Sequence, residues 1–249
     1  MEKVNWVLLR GLAREKGHWA SFDKKMQSAF NGDVLCLDLP GAGDNLNEQV
    51  PLSIDEMTDF IRENWLQQRG DKKWSLLAIS LGGMIALNWS SRYPEDFQQL
   101  VTINTSSKKF SGVFERISPL AIRTLLSTLF INDAHKRESL ILSLITNHEN
   151  VDKQIAKDWA QLAKTRHIKI ISFLRQLFAA SKFRLPDQIV IPYLALAAQK
   201  DRFTNSECSR KIASHFGAKL ELHPSAGHDL PIDDGDWIIE KIKEHRLAL

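Results

Sequence analysis

Short apolar runs alternate with amphipathic stretches through the first hundred residues. Residues 6–9 form an uninterrupted apolar run that stops at Arg10-Gly11, and 34–39, 74–79 and 100–104 repeat the theme. Between these runs lie helical patterns. Residues 18–30 place Trp19, Phe22, Met26 and Phe30 near helical spacing. Residues 53–68 open on a capping serine, Ser53, and carry Met57, Phe60, Ile61 and Trp65 on one face. Residues 82–93 follow the third run directly. Short, largely apolar strands alternating with helices predict a parallel sheet covered on both faces.

The pattern changes at Ser106. From there to Asp187 no strand signal appears, only helical stretches at 117–130, 135–145, 152–164 and 168–180. Strand signals resume at 189–197 and 219–222, separated by a helix over 206–216, and a last helix runs from Asp236 or Trp237. The expected organisation is an α/β core, residues 1–105 and 188–249, interrupted by a helical insertion over 106–187.

Composition narrows the setting. Of 249 residues, 43% are apolar and 25% charged, the balance of a soluble globular chain. The apolar stretch near the N-terminus is too short for a signal peptide, and no window reaches the length of a membrane span. Cys36 and Cys208 stand far apart and match neither a metal set nor a disulfide framework. His135, His148 and His167 have no metal-like spacing to acidic or thiol partners. A cytoplasmic protein without metal or cofactor is expected. The net charge of +3 does not indicate nucleic-acid binding, but residues 106–187 carry 14 Lys and Arg against 7 Asp and Glu. That surplus reads either as a solvated helical face or as a basic lid that attracts an acidic substrate or carrier.

The sharpest chemical feature is Ala78-Ile79-Ser80-Leu81-Gly82-Gly83. A serine between an apolar strand and a helix, with small residues at −2, +2 and +3, has the form of a nucleophile elbow. Taken alone it reads equally as a helix N-cap. Asp201 follows the strand at 189–197, and His228 sits in a loop after the last strand. The order Ser, Asp, His at three strand ends predicts a catalytic triad. Asp229 and Asp233-Asp234 compete with Asp201 for the acid's place, and the strand-end position of His223 suggests a surface role. Trp19 reads as core, and Phe110, Phe114, Phe130, Trp159, Phe173 and Phe178 mainly as the insertion's core.

With Leu8-Leu9-Arg10-Gly11-Leu12, Asp38-Leu39-Pro40-Gly41-Ala42-Gly43 and Gly227-His228-Asp229 added, the chain resembles the α/β-hydrolase superfamily over essentially its whole length. It is similar to the small capped esterases, thioesterases and lyases related to pimeloyl-carrier-protein methyl esterase and the menaquinone-pathway synthase. The resemblance implies an oxyanion hole from the amides of Leu12 and Leu81, and a helical cap formed by the insertion. Gly11 and His18 are candidates for substrate contact. Relatives commonly carry His-Gly where this chain has Arg10-Gly11, so Arg10 either pairs with a carboxylate or touches substrate. The usual two leading strands have no sequence to build them, and six strands are expected. The implied activity is hydrolysis of a small ester or thioester, free or on an acidic carrier protein. A lyase or C–C hydrolase using the same triad, and a non-catalytic binding protein, remain as alternatives.

Overall fold

The computed structural model describes residues 3–147 and 153–247. Its strands are β1 (Asn5–Leu9), β2 (Val34–Leu37), β3 (Trp74–Ile79), β4 (Phe97–Ile103), β5 (Tyr193–Ala198) and β6 (Lys219–His223). They form one sheet in the order β2-β1-β3-β4-β5-β6 with every neighbouring pair parallel. The helices are α1 (Phe22–Phe30), α2 (Ile54–Leu66), α3 (Leu81–Arg92), α4 (Val113–Arg116), α5 (Pro119–Thr128), α6 (Ala134–Ile145), α7 (Lys153–Thr165), α8 (Ile170–Lys182), α9 (Glu207–Phe216) and α10 (Leu230–Leu247). This is the α/β-hydrolase fold with the six strands expected.

The alternation of side chains along each strand divides the core into two layers. In β1, Trp6 and Leu8 join Phe22, Met26 and Phe30 of α1 and Ile238 and Ile242 of α10. Val7 and Leu9 face the other way, toward Met57, Ile61 and Trp65 of α2 and Ile85 and Trp89 of α3. Strand order reverses at β1, so the connections leaving β1 and β3 diverge and open a crevice at their C-terminal ends.

Several boundaries differ from the sequence pattern, each for a local reason. The first helix begins at Phe22 rather than residue 18, because Ala20 takes a φ of 51° and separates it from a 3₁₀ turn over Lys16–Trp19. The fifth strand begins at Tyr193, after Pro192, which has no N–H to donate; the Pro192 carbonyl accepts instead from Leu100 N. The stretch 117–130 breaks at Ser118-Pro119, where an extended Ser118 caps α5 and Pro119 takes its first position. The last helix starts earlier, at Leu230, and kinks at Asp234.

Helices α4 to α8 fall between β4 and β5; α5, α6 and α7 share a small core that includes Ala121, Leu142, Ile145 and Trp159, while Ala179 and Ala180 of α8 join the main core. The aromatic residues are less buried than expected. Trp159 is buried, but Phe114 and Phe130 are 69% and 85% exposed and Phe178 is exposed as well. The small internal core is completed without these outward-facing apolar positions. No described helix is long and apolar enough to cross a membrane.

Candidate active site

β3 ends at Ile79 and α3 begins at Leu81, so Ser80 alone makes the turn. Its φ of 57° and ψ of −117° lie where an L-residue is held at a cost of roughly 1–3 kcal/mol. The end of β4 holds it there: Ser80 N donates to the Ile103 carbonyl at 2.9 Å and Thr105 Oγ1 donates to the Ser80 carbonyl at 2.8 Å. The small residues of the motif have a steric cause. A Cβ on Gly82 would lie 2.5 Å from the Arg10 carbonyl oxygen and 2.7 Å from that of Leu9, since α3 starts against the end of β1. At position 78 the alanine methyl is fully buried and accommodated.

Asp201 follows β5. Its Oδ1 accepts from the amides of Phe203 at 2.7 Å and Thr204 at 2.9 Å, and its Oδ2 lies 2.7 Å from His228 Nδ1. A carboxylate partner fixes the proton on Nδ1 and leaves Nε2 as the acceptor. Phe203 stacks on the imidazole with centroids 4.7 Å apart. Asn104, which sequence reasoning missed, braces the same loop: its Nδ2 donates to the His228 carbonyl at 2.8 Å while its Oδ1 accepts from Ala198 N at 2.9 Å. Ser80 and His228 line one cavity of about 370 Å³. Among the described residues the Ser80 hydroxyl has no hydrogen bond.

The competing acids are committed elsewhere. Asp229 receives both guanidinium nitrogens of Arg10, at 3.0 and 2.5 Å, in a pair 3% and 1% exposed. Arg10 therefore pairs with a carboxylate, and it also lines the cavity. Asp233 accepts from Gly227 N and Asn147 N. Asp234 meets His223 Nε2 at 3.2 Å. His223 is not a surface residue: it is buried, its Nδ1 accepts from Ala226 N at 2.9 Å, and its ring abuts Trp237. The turn after β6 folds back over it.

Gly11 lies against the serine: a Cβ there would be 3.1 Å from Ser80 Cβ and 3.6 Å from Ser80 Oγ. In the same loop Ala13 N is taken by Gln176 Oε1 at 3.0 Å. The amides of Leu12 and Leu81 have no protein partner among the described residues. Two loops are joined here by Asp38, whose Oδ1 accepts from Lys16 N and Oδ2 from Asp44 N. Burial holds the Asp38 carboxyl above its ordinary pKa, against those two amides.

His18 lines the cavity and is buried. Its Nδ1 accepts from Glu15 N at 3.0 Å, and its ring meets Trp159 edge-on at 4.9 Å. Desolvation, reinforced by Arg14 and Arg10, holds its pKa well below the usual value, so it is neutral. Trp19 is core, as expected. The insertion lines the cavity with apolar residues such as Ile141, Leu162 and Phe173, and with charged ones not anticipated from sequence, Arg137, Glu138 and Arg166. Core Arg14 pairs with Glu138 at 2.7 Å and core Glu15 with Arg166 at 3.1 Å. His167 borders the cavity and His135 is exposed. His148 lies outside the described residues. Among the described residues no group of three His, Cys, Asp or Glu has metal-holding geometry.

A family profile described as alpha/beta hydrolase fold matches residues 7–235. Over 102 residues, 40% of this chain, the sequence is 32% identical to the biotin biosynthesis bifunctional protein BioHC of Teredinibacter turnerae. The matching part is 17% of that relative's length. Among solved structures, the enol-lactonase of Burkholderia xenovorans is similar with a TM-score of 0.76 at 17% identity, covering 99% of this chain and 92% of that one. A thermophilic esterase of Thermogutta terrifontis gives 0.74 at 15% identity, covering 99% and 90%.

Proposed function

Because this chain belongs to the α/β-hydrolase family, we propose that it is a serine hydrolase cleaving a carboxylic ester or thioester through an acyl-enzyme. The observation that carries the reading is the strained Ser80 turn opening on the same cavity as a His228 whose Nδ1 is fixed by Asp201. His228 Nε2 takes the Ser80 proton as Oγ attacks the carbonyl carbon. The Leu12 and Leu81 amides, the second at the N-terminus of α3, stabilise the resulting oxyanion, each worth a few kcal/mol. The intermediate collapses, His228 protonates the departing alcohol or thiol, and the acyl group stays on Ser80. Water, deprotonated by the same imidazole, then releases the acid. Asp201 orients the imidazole and stabilises its charged form.

A fluorophosphonate probe tests this. Wild type labels at one site and Ser80→Ala does not label; a correctly folded wild type that resists labelling overturns the reading.

The helical insertion acts as a lid over this site, supported by its side chains in the cavity wall. Its surplus of basic residues supports a substrate carried on an acidic protein. Turnover of a carrier-bound thioester should exceed that of its free analogue at low salt and fall toward it as salt rises. Equal, salt-independent rates exclude the carrier. Two unpaired thiols, Cys36 and Cys208, support a cytoplasmic setting.

A further inference from the structure

The helical insertion leaves large apolar side chains uncovered on two of its helices. Along α8, Ile170, Ile171, Leu174, Leu177 and Phe178 recur at helical spacing and are between 36% and 59% exposed. Ser172, Gln176, Ala179 and Ala180 of the same helix are buried. The helix thus turns its small and polar residues inward and its large apolar ones to solvent, the reverse of an ordinary surface helix. At and just beyond the end of α5, Leu126, Leu129 and Phe130 are more than half exposed, and Phe114 of α4 shares a groove with Leu126 and Phe130. Apolar exposure on this scale marks an interaction face.

The two sets of side chains belong to one region. Leu129 and Ile170 face solvent and also line the serine cavity, so both stand at its mouth. Farther along, Arg116 Nη2 donates to the Ala180 carbonyl at 2.8 Å, which ties the approach to α5 to the end of α8. Charge then selects the occupant. Residues 116–132 and 167–184, which contain both helices, include no Asp or Glu. Arg123 lines the α5 groove, Lys169 and Lys182 stand at the two ends of α8, and Arg184 lies just beyond. All four are exposed, and among the described residues none is in an ion pair. Lys182 Nζ lies 5.5 Å from the Phe178 ring, so its charge sits beside the apolar stripe.

We propose that this face of the insertion docks on an anionic lipid bilayer surface, with the α8 stripe and the ridge of Phe114 and Phe130 in the acyl boundary and the basic side chains at the headgroups. Apolar side chains flanked by lysine and arginine, with no acid among them, are the composition of an interfacial helix. A second copy of the chain would set the same unanswered cations against each other, since a two-fold contact matches a face to itself. An acidic protein would answer the cations but would need a recess shaped to the protruding phenylalanines, whereas fluid acyl chains accept any relief. Docking of this kind needs no membrane-spanning helix, and it does not depend on the chemistry at Ser80.

The test is cosedimentation with sucrose-loaded vesicles, read as a partition coefficient. Wild type should bind vesicles of equal phosphatidylglycerol and phosphatidylcholine at least about tenfold more strongly than phosphatidylcholine alone, and the difference should shrink as salt rises. Lys169→Gln/Lys182→Gln should weaken binding to the anionic vesicles about 25-fold, since each cation at such a surface counts for about fivefold. Ile171→Ser/Leu174→Ser/Phe178→Ser should weaken it by about tenfold or more. Every changed side chain is exposed, and thermal denaturation should show both variants as stable as wild type. A wild type that stays in the supernatant, or binding that neither variant weakens, overturns the proposal. Occupation by protein overturns it as well: a dimer in sedimentation equilibrium that the serine variant dissociates, or retention on an immobilised acidic carrier protein, with no vesicle binding in either case. None of these measurements reads turnover, so the docking face and the hydrolase reading stand or fall separately.

Discussion

At Arg10 a buried ion pair braces the site. The guanidinium precedes Gly11, and its partner Asp229 follows His228, so a buried bidentate pair fastens the serine-facing loop to the histidine loop. Arg10→Met alone strands a buried carboxylate, and about 3–5 kcal/mol of stability should be lost. Arg10→Met/Asp229→Leu should recover most of that loss, because an apolar pair of similar volume restores packing without an unpaired charge. Urea denaturation of both variants measures this; equal losses would show that the two groups are not coupled. Recovered stability should not restore turnover, since the tie between the loops remains cut. Much of this was partly legible in the sequence. The proposed triad stood out because each member follows an apolar run at a strand end, and Arg10 was visible as a departure from a pattern. Asn104, Arg14 and Glu138 were not, because their meaning lies in contacts between residues more than a hundred positions apart. No local spacing encodes such contacts.

Among the elements, β1, β3, β4 and β5 were legible because their runs are largely apolar and bounded by turns, as expected of strands buried on both faces. The errors came where backbone chemistry outranked periodicity, at Ala20, Ser118-Pro119 and Pro192. Apolar spacing cannot register a positive φ or a missing donor. The join between β3 and α3 is where element packing meets chemistry most closely. A Cβ at position 82 would fall inside van der Waals contact of the Leu9 and Arg10 carbonyls at the end of β1. Gly82→Ala should therefore cost about 2–3 kcal/mol, since overpacking here meets backbone that has no rotamer to change. Thermal denaturation reports that cost. Probe labelling of the folded fraction should also slow, because displacing α3 moves Ser80 and the Leu81 amide. A variant as stable and as reactive as wild type would mean that the turn does not depend on this contact.

Over the whole molecule, the insertion is seated on the core by pairs of crossed polarity. Core Arg14 meets Glu138 of α6, while core Glu15 meets Arg166 just beyond α7. Gln176 of α8 accepts from Ala13 N and donates to the Pro40 carbonyl. His18 lies at this junction, with Arg10, Arg14 and Glu15 from its own segment around it and Trp159 of α7 against its ring. Burial, then Arg14 and Arg10, lower its folded pKa well below the unfolded value of about 6.5. Between those two values the unfolded chain binds a proton that the folded chain refuses, so stability rises with pH there. His18 therefore costs nothing above pH of about 6.5 and destabilises the fold progressively as pH drops through it, by up to about 1.4 kcal/mol per unit. Protonation would place a third positive charge beside Arg10 and Arg14, at the seam where the insertion meets the core. Urea unfolding of wild type and His18→Gln at pH 7 and pH 5 isolates the effect, because His245, also shifted down by burial, is common to both. Wild type should lose up to about 2 kcal/mol more than the variant between the two pH values. A difference that stays constant from pH 7 to pH 5 would mean that His18 takes up its proton without disturbing the fold, and that the seam is not acid-sensitive.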